Sequence, residues 1–189
     1  MDTQTKTKDH IIIAALSLAG QMGWDMVTLN DIAAEANVDL ADIHTHFADK
    51  ADIVHGFGRM IDAQVLKTSQ SDPASDVREM FFDIMMDRFE ALNVYREGVL
   101  SILDSYKTDP KQLLFSAPAL CRSMGWMLEA CNISTNGYKG AARVAGASAL
   151  AVKLTHTWTK DDTPDMAKVM ADLDKHLNRL AMGAERLGL

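Results

Sequence analysis

Val38-Asp39-Leu40-Ala41-Asp42-Ile43-His44-Thr45-His46-Phe47-Ala48-Asp49-Lys50 is the stretch on which the fold turns. Asp39 is a candidate N-cap, and Leu40, Ile43 and Phe47 recur at helical spacing, which predicts a short helix over Leu40 to Phe47. Asn37-Val38 reads as a tight turn. Before it, Leu29 to Ala36 makes another short helix, with Thr28 as its cap and Asp31 where a capping-box acid sits. Further upstream, Ile12, Ile13, Leu16, Ala19 and Met22 mark a longer helix from Asp9 to Met22, closed by Gly23. A fourth helix is expected from about Asp49 to Thr68. A long helix followed by two short ones across a tight turn is the helix-turn-helix layout.

The rest of the chain continues in helices. Only four prolines and eleven glycines interrupt 189 residues that are 48% hydrophobic, so the fold class is all-α, either one domain or a small head fused to a larger body. Ser69 to Ser75 is polar, contains Pro73 and separates two apolar regions. It is the natural junction between a head, residues 1–54 with its last helix running to about 68, and a body, residues 70–189. In the body, helices are expected over Asp76 to Leu92, Tyr95 to Tyr106, Pro110 to Cys131 and Ala141 to Trp158. A last one runs from Thr163-Pro164 to about Ala184, with Met166, Val169, Met170, Leu173, Leu177 and Leu180 on one stripe. Pro118 should kink or split the third of these, and Asn132 to Gly140 should be a loop.

Catalytic and metal chemistry find no foothold in these residues. Cys121 and Cys131, ten apart, match neither a metal knuckle nor a redox pair, and His44 and His46, two apart, point to different sides of their helix. There is no phosphate-cradling glycine loop, no HExxH and no nucleophile elbow, so no enzyme, no catalytic residue, no metal and no cofactor are expected. The polar start and the lack of an apolar run near the roughly 20 residues of a membrane span place the chain in the cytoplasm. A net charge of −7 repels nucleic acid at long range, and any contact with it needs a local basic patch.

Residues 11 to 54, with Ala14-Ala15-Leu16, Gly23, Val27-Thr28, Ile32-Ala33, Ala36-Asn37-Val38, Ile43, His46-Phe47, Lys50 and Ile53, resemble the N-terminal domain of TetR-family transcription regulators. The resemblance implies operator DNA as a partner. Thr28, His44 and Lys50 would then meet phosphates, and the start of the third helix (Asp39, Leu40, Ala41 and Thr45) would reach base edges; His44 stands where the family usually has a tyrosine. The local charge runs against this. Asp25, Asp31, Glu35, Asp39, Asp42 and Asp49 fall in a segment with no Lys or Arg, and each carboxylate within a Debye length of about 8 to 10 Å repels the duplex. Asp31 and Asp39 have a capping role open to them, and a positive face could still be assembled from Lys6, Lys8, Lys50 and Arg59.

A second resemblance covers Asn136 to Leu154 and Asp161 to Met182, which look like the C-terminal part of ubiquinone-biosynthesis accessory proteins. These share the TetR fold and bind an isoprenoid or other lipid without acting on DNA. Both resemblances imply a homodimer through the last two helices, about 141–158 and 164–184, and an apolar cavity for a small molecule or lipid. Its candidate lining is Phe81, Phe82, Met85, Phe89, Leu103, Phe115, Leu120, Met124, Trp126, Met127 and Trp158. Two functions therefore stand open, a ligand-responsive regulator and a lipid-binding accessory protein with a degenerate, acidic helix-turn-helix.

Overall fold

A computed structural model describes residues 3–68, 76–108 and 110–187, apart from the side chains of 3–6, 108, 110, 112–115 and 180–187. The junction expected at Ser69 to Ser75 lies outside the described residues. The elements are α1 (Thr3–Met22), a one-turn 3-10 helix (Trp24–Met26), α2 (Leu29–Ala36), α3 (Leu40–His46) and α4 (Lys50–Thr68). They continue with α5 (Val77–Asn93), α6 (Arg96–Thr108), α7 (Pro110–Ala130), α8 (Gly137–Trp158) and α9 (Ala167–Leu187). Every regular element among the described residues is helical.

The chain divides into two compact units, one of Met1–Gln64 with Glu90–Ala119 and one of Val65–Phe89 with Leu120–Leu189. In the first, α1 packs on α6 and α2, and α2 packs on α3. Ile11, Ile12, Ala15, Leu16 and Ala19 of α1 are buried, while Ile13 and Met22, expected on the same stripe, are 43% and 47% exposed. At 100° per residue Ile13 falls beyond the edge of the buried arc, whereas Met22 lies on the buried side and is exposed as the last residue of the helix. Gly98 lets α6 approach α1 closely: a Cβ there would lie 2.4 Å from the Leu16 carbonyl oxygen.

In the second unit α8 packs on α9 around Leu150, Leu154, Trp158, Val169, Leu173 and Leu177, with Met170 turned outward. α1 begins at Thr3, six residues ahead of the expected Asp9, and three features of the later helices also differ from the sequence reading. α7 passes through Pro118 as one helix; the proline lies on its exposed side, between two alanines, where one missing N–H does not end the ladder. α8 starts inside the expected loop, at Gly137. α9 starts at Ala167, because Met166 takes a left-handed φ of 51° that no helix accommodates, so Thr163 and Pro164 lie in the turn ahead of it.

That turn is organised by a buried carboxylate. Asp161 is 2% exposed and accepts the Thr163 N–H (3.1 Å) and hydroxyl (2.6 Å) on Oδ1 and the Val169 N–H (2.9 Å) on Oδ2. The Thr163 hydroxyl oxygen in turn accepts the Ala167 N–H at 2.9 Å. The open donors of the first turn of α9 are thus met by side chains that precede the helix.

Candidate nucleic-acid interface and apolar core

The helix-turn-helix is built by three successive acidic capping arrangements. Thr28 donates its N–H (2.9 Å) and hydroxyl (2.6 Å) to Asp31 Oδ2, and Asp31 returns its own N–H to the Thr28 hydroxyl oxygen at 3.2 Å. At α3 the Asp39 N–H donates to Asp42 Oδ2 at 3.1 Å. At α4 the Asp52 N–H donates to Asp49 Oδ1 (2.8 Å) and the Ala48 N–H to Asp52 Oδ2 (3.3 Å). Each such cap is worth about 1 kcal/mol, and a carboxylate at a helix start also meets the positive end of the helix dipole. Asp31, Asp42 and Asp49 therefore carry structural work, whereas Asp25 and Glu35 are simply exposed. The hydrogen bonds from Thr28 hold the Asp31 carboxyl below the usual aspartate value.

Between α2 and α3 the chain turns at Asn37, which adopts the left-handed conformation (φ 50°, ψ 49°) and closes α2 by donating its N–H to the Ala33 and Ala34 carbonyls. Ala33, Ala34, Asn37, Val38, Asp39 and Asp42 line an open depression of about 300 Å³ on this side. Ile43 anchors α3 in the core at 1% exposure, while Leu40, Ala41, His44 and Thr45 are exposed on the other side of the helix. Of the residues expected to meet DNA, Leu40, Ala41, His44 and Thr45 share one outward face of α3 with Asp39 at its leading end, while Thr28 is engaged with Asp31 at the start of α2. The Thr45 hydroxyl donates to the Ala41 carbonyl at 2.9 Å.

Lys50 departs from the phosphate-contact expectation. Its Nζ donates to the Trp24 carbonyl (2.8 Å) and the Val27 carbonyl (2.5 Å) and lies 4.5 Å from the centre of the Trp24 ring. Burial lowers its pKa below the ordinary lysine value, against the opposing pull of Asp25 and Asp31. The ammonium thereby ties the start of α4 to the segment leading into α2. Of the other cations considered, Arg59 pairs with Asp52 at 3.4 Å, Lys8 sits 5.6 Å from the Phe47 ring centre, and the side chain of Lys6 is outside the described residues. Replacing Lys50 by methionine keeps the stem but removes the donor of the Val27 carbonyl and leaves the Trp24 carbonyl with only the Val27 N–H at 3.3 Å. It is expected to lower stability by about 2 kcal/mol in urea unfolding. Were Lys50 instead a phosphate contact, the substitution would reduce the salt dependence of DNA binding by about one unit and spare stability.

The expected apolar lining is only partly brought together. Phe81, Met85, Phe89, Met124, Met127 and Trp158 are buried in the second unit, with the Phe89 and Trp158 rings 6.4 Å apart and tilted by 39°. Phe82 and Leu120 are half-buried there, and Leu103 is half-buried in the other unit. Trp126 turns away, 63% exposed, because the face of α7 that packs is set by Ser123, Met124, Met127 and Leu128. The Phe115 side chain lies outside the described residues. Sequence reasoning missed the Lys50 cage and the role of Asp161, since both depend on partners that no local pattern reveals.

No protein of curated function matches the sequence. A family model described as bacterial regulatory proteins, tetR family, matches residues 11–56. A TetR transcriptional regulator from Nitrosomonas europaea has a similar structure, at TM-score 0.75 and 21% identity over 93% of this chain and 98% of its own. A TetR transcriptional regulator from Rhodococcus sp. RHA1 aligns at TM-score 0.59 and 15% identity, covering 95% and 99%. The multidrug binding protein EbrR, solved with imidazole, aligns at TM-score 0.54 and 23% identity, covering 89% and 93%. Residues 11–56 thus match the N-terminal domain of the tetR family of bacterial regulatory proteins, within a chain that has the all-α fold of TetR regulators.

Proposed function

We propose that the protein is a transcription regulator that binds operator DNA as a homodimer and answers to an apolar, lipid-like effector in a body of residues 70–189. The observation that carries this reading is the outward face of α3. Leu40, Ala41, His44 and Thr45 are exposed on a helix held by Ile43, inside the segment that matches the regulator family, which is the presentation a helix needs to enter a major groove. Dimerisation has its own support. Ala142, Ala145, Gly146, Ala149 and Val152 of α8 are exposed at spacings of three and four, a flat apolar strip against which a second helix can pack closely. The effector proposal is supported by the buried Phe, Met and Trp side chains of the second unit and by a structural relative described as a multidrug binding protein. The helix-turn-helix supports DNA binding, and the ubiquinone-related resemblance finds no counterpart among the three structures compared.

With Lys50 held by two carbonyls and Arg59 paired with Asp52 at the surface, few cations among the described residues of the head are left for phosphates, so binding should depend shallowly on salt. A footprint on DNA upstream of the protein's own gene at about 50 mM salt should show a palindromic site. Ala149→Arg should give a monomer by light scattering and weaken that footprint at least tenfold. A wild-type protein that protects no duplex at low salt would refute the proposal.

A further inference from the structure

Resting on the DNA-binding reading above, we infer that α3 reads its half-site through thymine methyl groups and base amino groups, without a guanine contact of the arginine or lysine kind. The chemistry of the exposed face determines this. Leu40, 47% exposed, and Ala41 present only hydrocarbon. Thr45 uses its single hydroxyl proton on the Ala41 carbonyl at 2.9 Å, so toward a base it offers a methyl group and an acceptor oxygen. Asp39 and Asp42, at the leading end, carry only acceptors when ionised, and one Asp42 oxygen is already taken by the Asp39 N–H. Neither lysine nor arginine occurs anywhere in α3 or the turn before it.

Set against the major-groove code, this inventory is selective. Guanine shows two acceptors, N7 and O6, and needs donors that this face lacks apart from the His44 ring. Thymine shows a methyl group, which matches Leu40, Ala41 and the Thr45 methyl. Cytosine and adenine show amino donors, which match the carboxylates. The acids that count against binding to phosphates become readers of bases at the front of the helix. The half-site is therefore rich in thymine on the strand that faces Leu40, Ala41 and Thr45.

The test uses the full-length dimer and a pool of randomised duplexes with fixed flanks, selected at low salt. From the enriched half-site three duplexes are compared: unmodified, with uracil for thymine, and with 7-deazaguanine for guanine. Uracil keeps the pairing and removes only the methyl, so each contacted thymine should cost about fourfold in affinity. Removing guanine N7 should change affinity by less than about twofold. Thr45→Ser, which removes the methyl group and keeps the hydroxyl, should lose sensitivity to uracil at one position. Tolerance of uracil, or a tenfold loss with 7-deazaguanine, overturns the inference while leaving DNA binding intact. A pool that yields no enriched sequence removes the regulator reading itself, and this inference with it.

Discussion

Gly98→Ala should lower the melting temperature by roughly 6 to 12 °C, the equivalent of about 3 kcal/mol in a chain of this size. The added methyl would sit 2.4 Å from the Leu16 carbonyl oxygen and within 3.1 Å of its Cα, where backbone rather than a flexible side-chain tip is in the way. Relief requires α6 to move off α1, and that contact builds much of the core of the first unit, including Leu16, Ala19, Val99 and Ile102. Helix propensity works the other way, since alanine is favoured over glycine within a helix by about 1 kcal/mol. The clash outweighs it. Gly58, also helical but with nothing within 4 Å of its added Cβ, isolates the propensity effect. Gly58→Ala should raise stability by several tenths of a kcal/mol or more. Thermal melts followed by circular dichroism measure both, and a Gly98→Ala protein as stable as the parent would disprove the close packing of α1 on α6.

Asp161→Ala should cost about 3 kcal/mol, because a buried carboxylate that organises the entry to α9 is removed and its donors are left without an acceptor. The same residue sets an acid limit. Burial pushes its pKa up, but hydrogen bonds from Thr163, Val169 and Lys168 outweigh that and hold it below the ordinary 3.8. Asp172 is also lowered, first by the Thr157 hydroxyl and then by Lys153 and His176, with burial opposing. A carboxyl lowered in the folded state contributes its stability in full above the unfolded value and loses it as the pH falls through the folded one. Stability should therefore hold down to about pH 4 and decline below it, and Asp161→Ala should flatten that decline while lowering the plateau. Urea midpoints measured from pH 3 to pH 7 give both quantities, and an unchanged acid slope in the variant would show that Asp161 does not carry the effect.

How far the fold could be read in advance follows from the range of the forces that set each boundary. α2 begins at Leu29 and α3 at Leu40 as the sequence predicts, because their caps are made by residues three apart, Thr28 with Asp31 and Asp39 with Asp42. α9 begins three residues later than Thr163-Pro164 suggests, because the Thr163 hydroxyl meets the N–H of Ala167, four residues on, and Asp161 meets that of Val169. Pro118 reads as a break because the rule for proline carries no knowledge of which side of the helix stays exposed. Trp126 illustrates a similar limit: its position within an apolar run does not say which side of α7 is covered. The setting of Lys50 is hidden from the sequence for the converse reason. A lysine just past a recognition helix reads as a phosphate contact, and only the fold brings the Trp24 ring and two carbonyls to it.

The capping acids also couple two properties that are usually separate, the charge of the head and its integrity. Acidification that neutralised Asp31 would ease its repulsion of a phosphate backbone, and the same proton would weaken the start of α2. Asp31, held in its charged form by Thr28 to lower pH than an ordinary aspartate, keeps the start of α2 capped and negative together over that range. At Asp31, therefore, acidity cannot relieve the repulsion without loosening the cap. Only a change of sequence that replaces a capping acid with a neutral cap can separate adhesion from order.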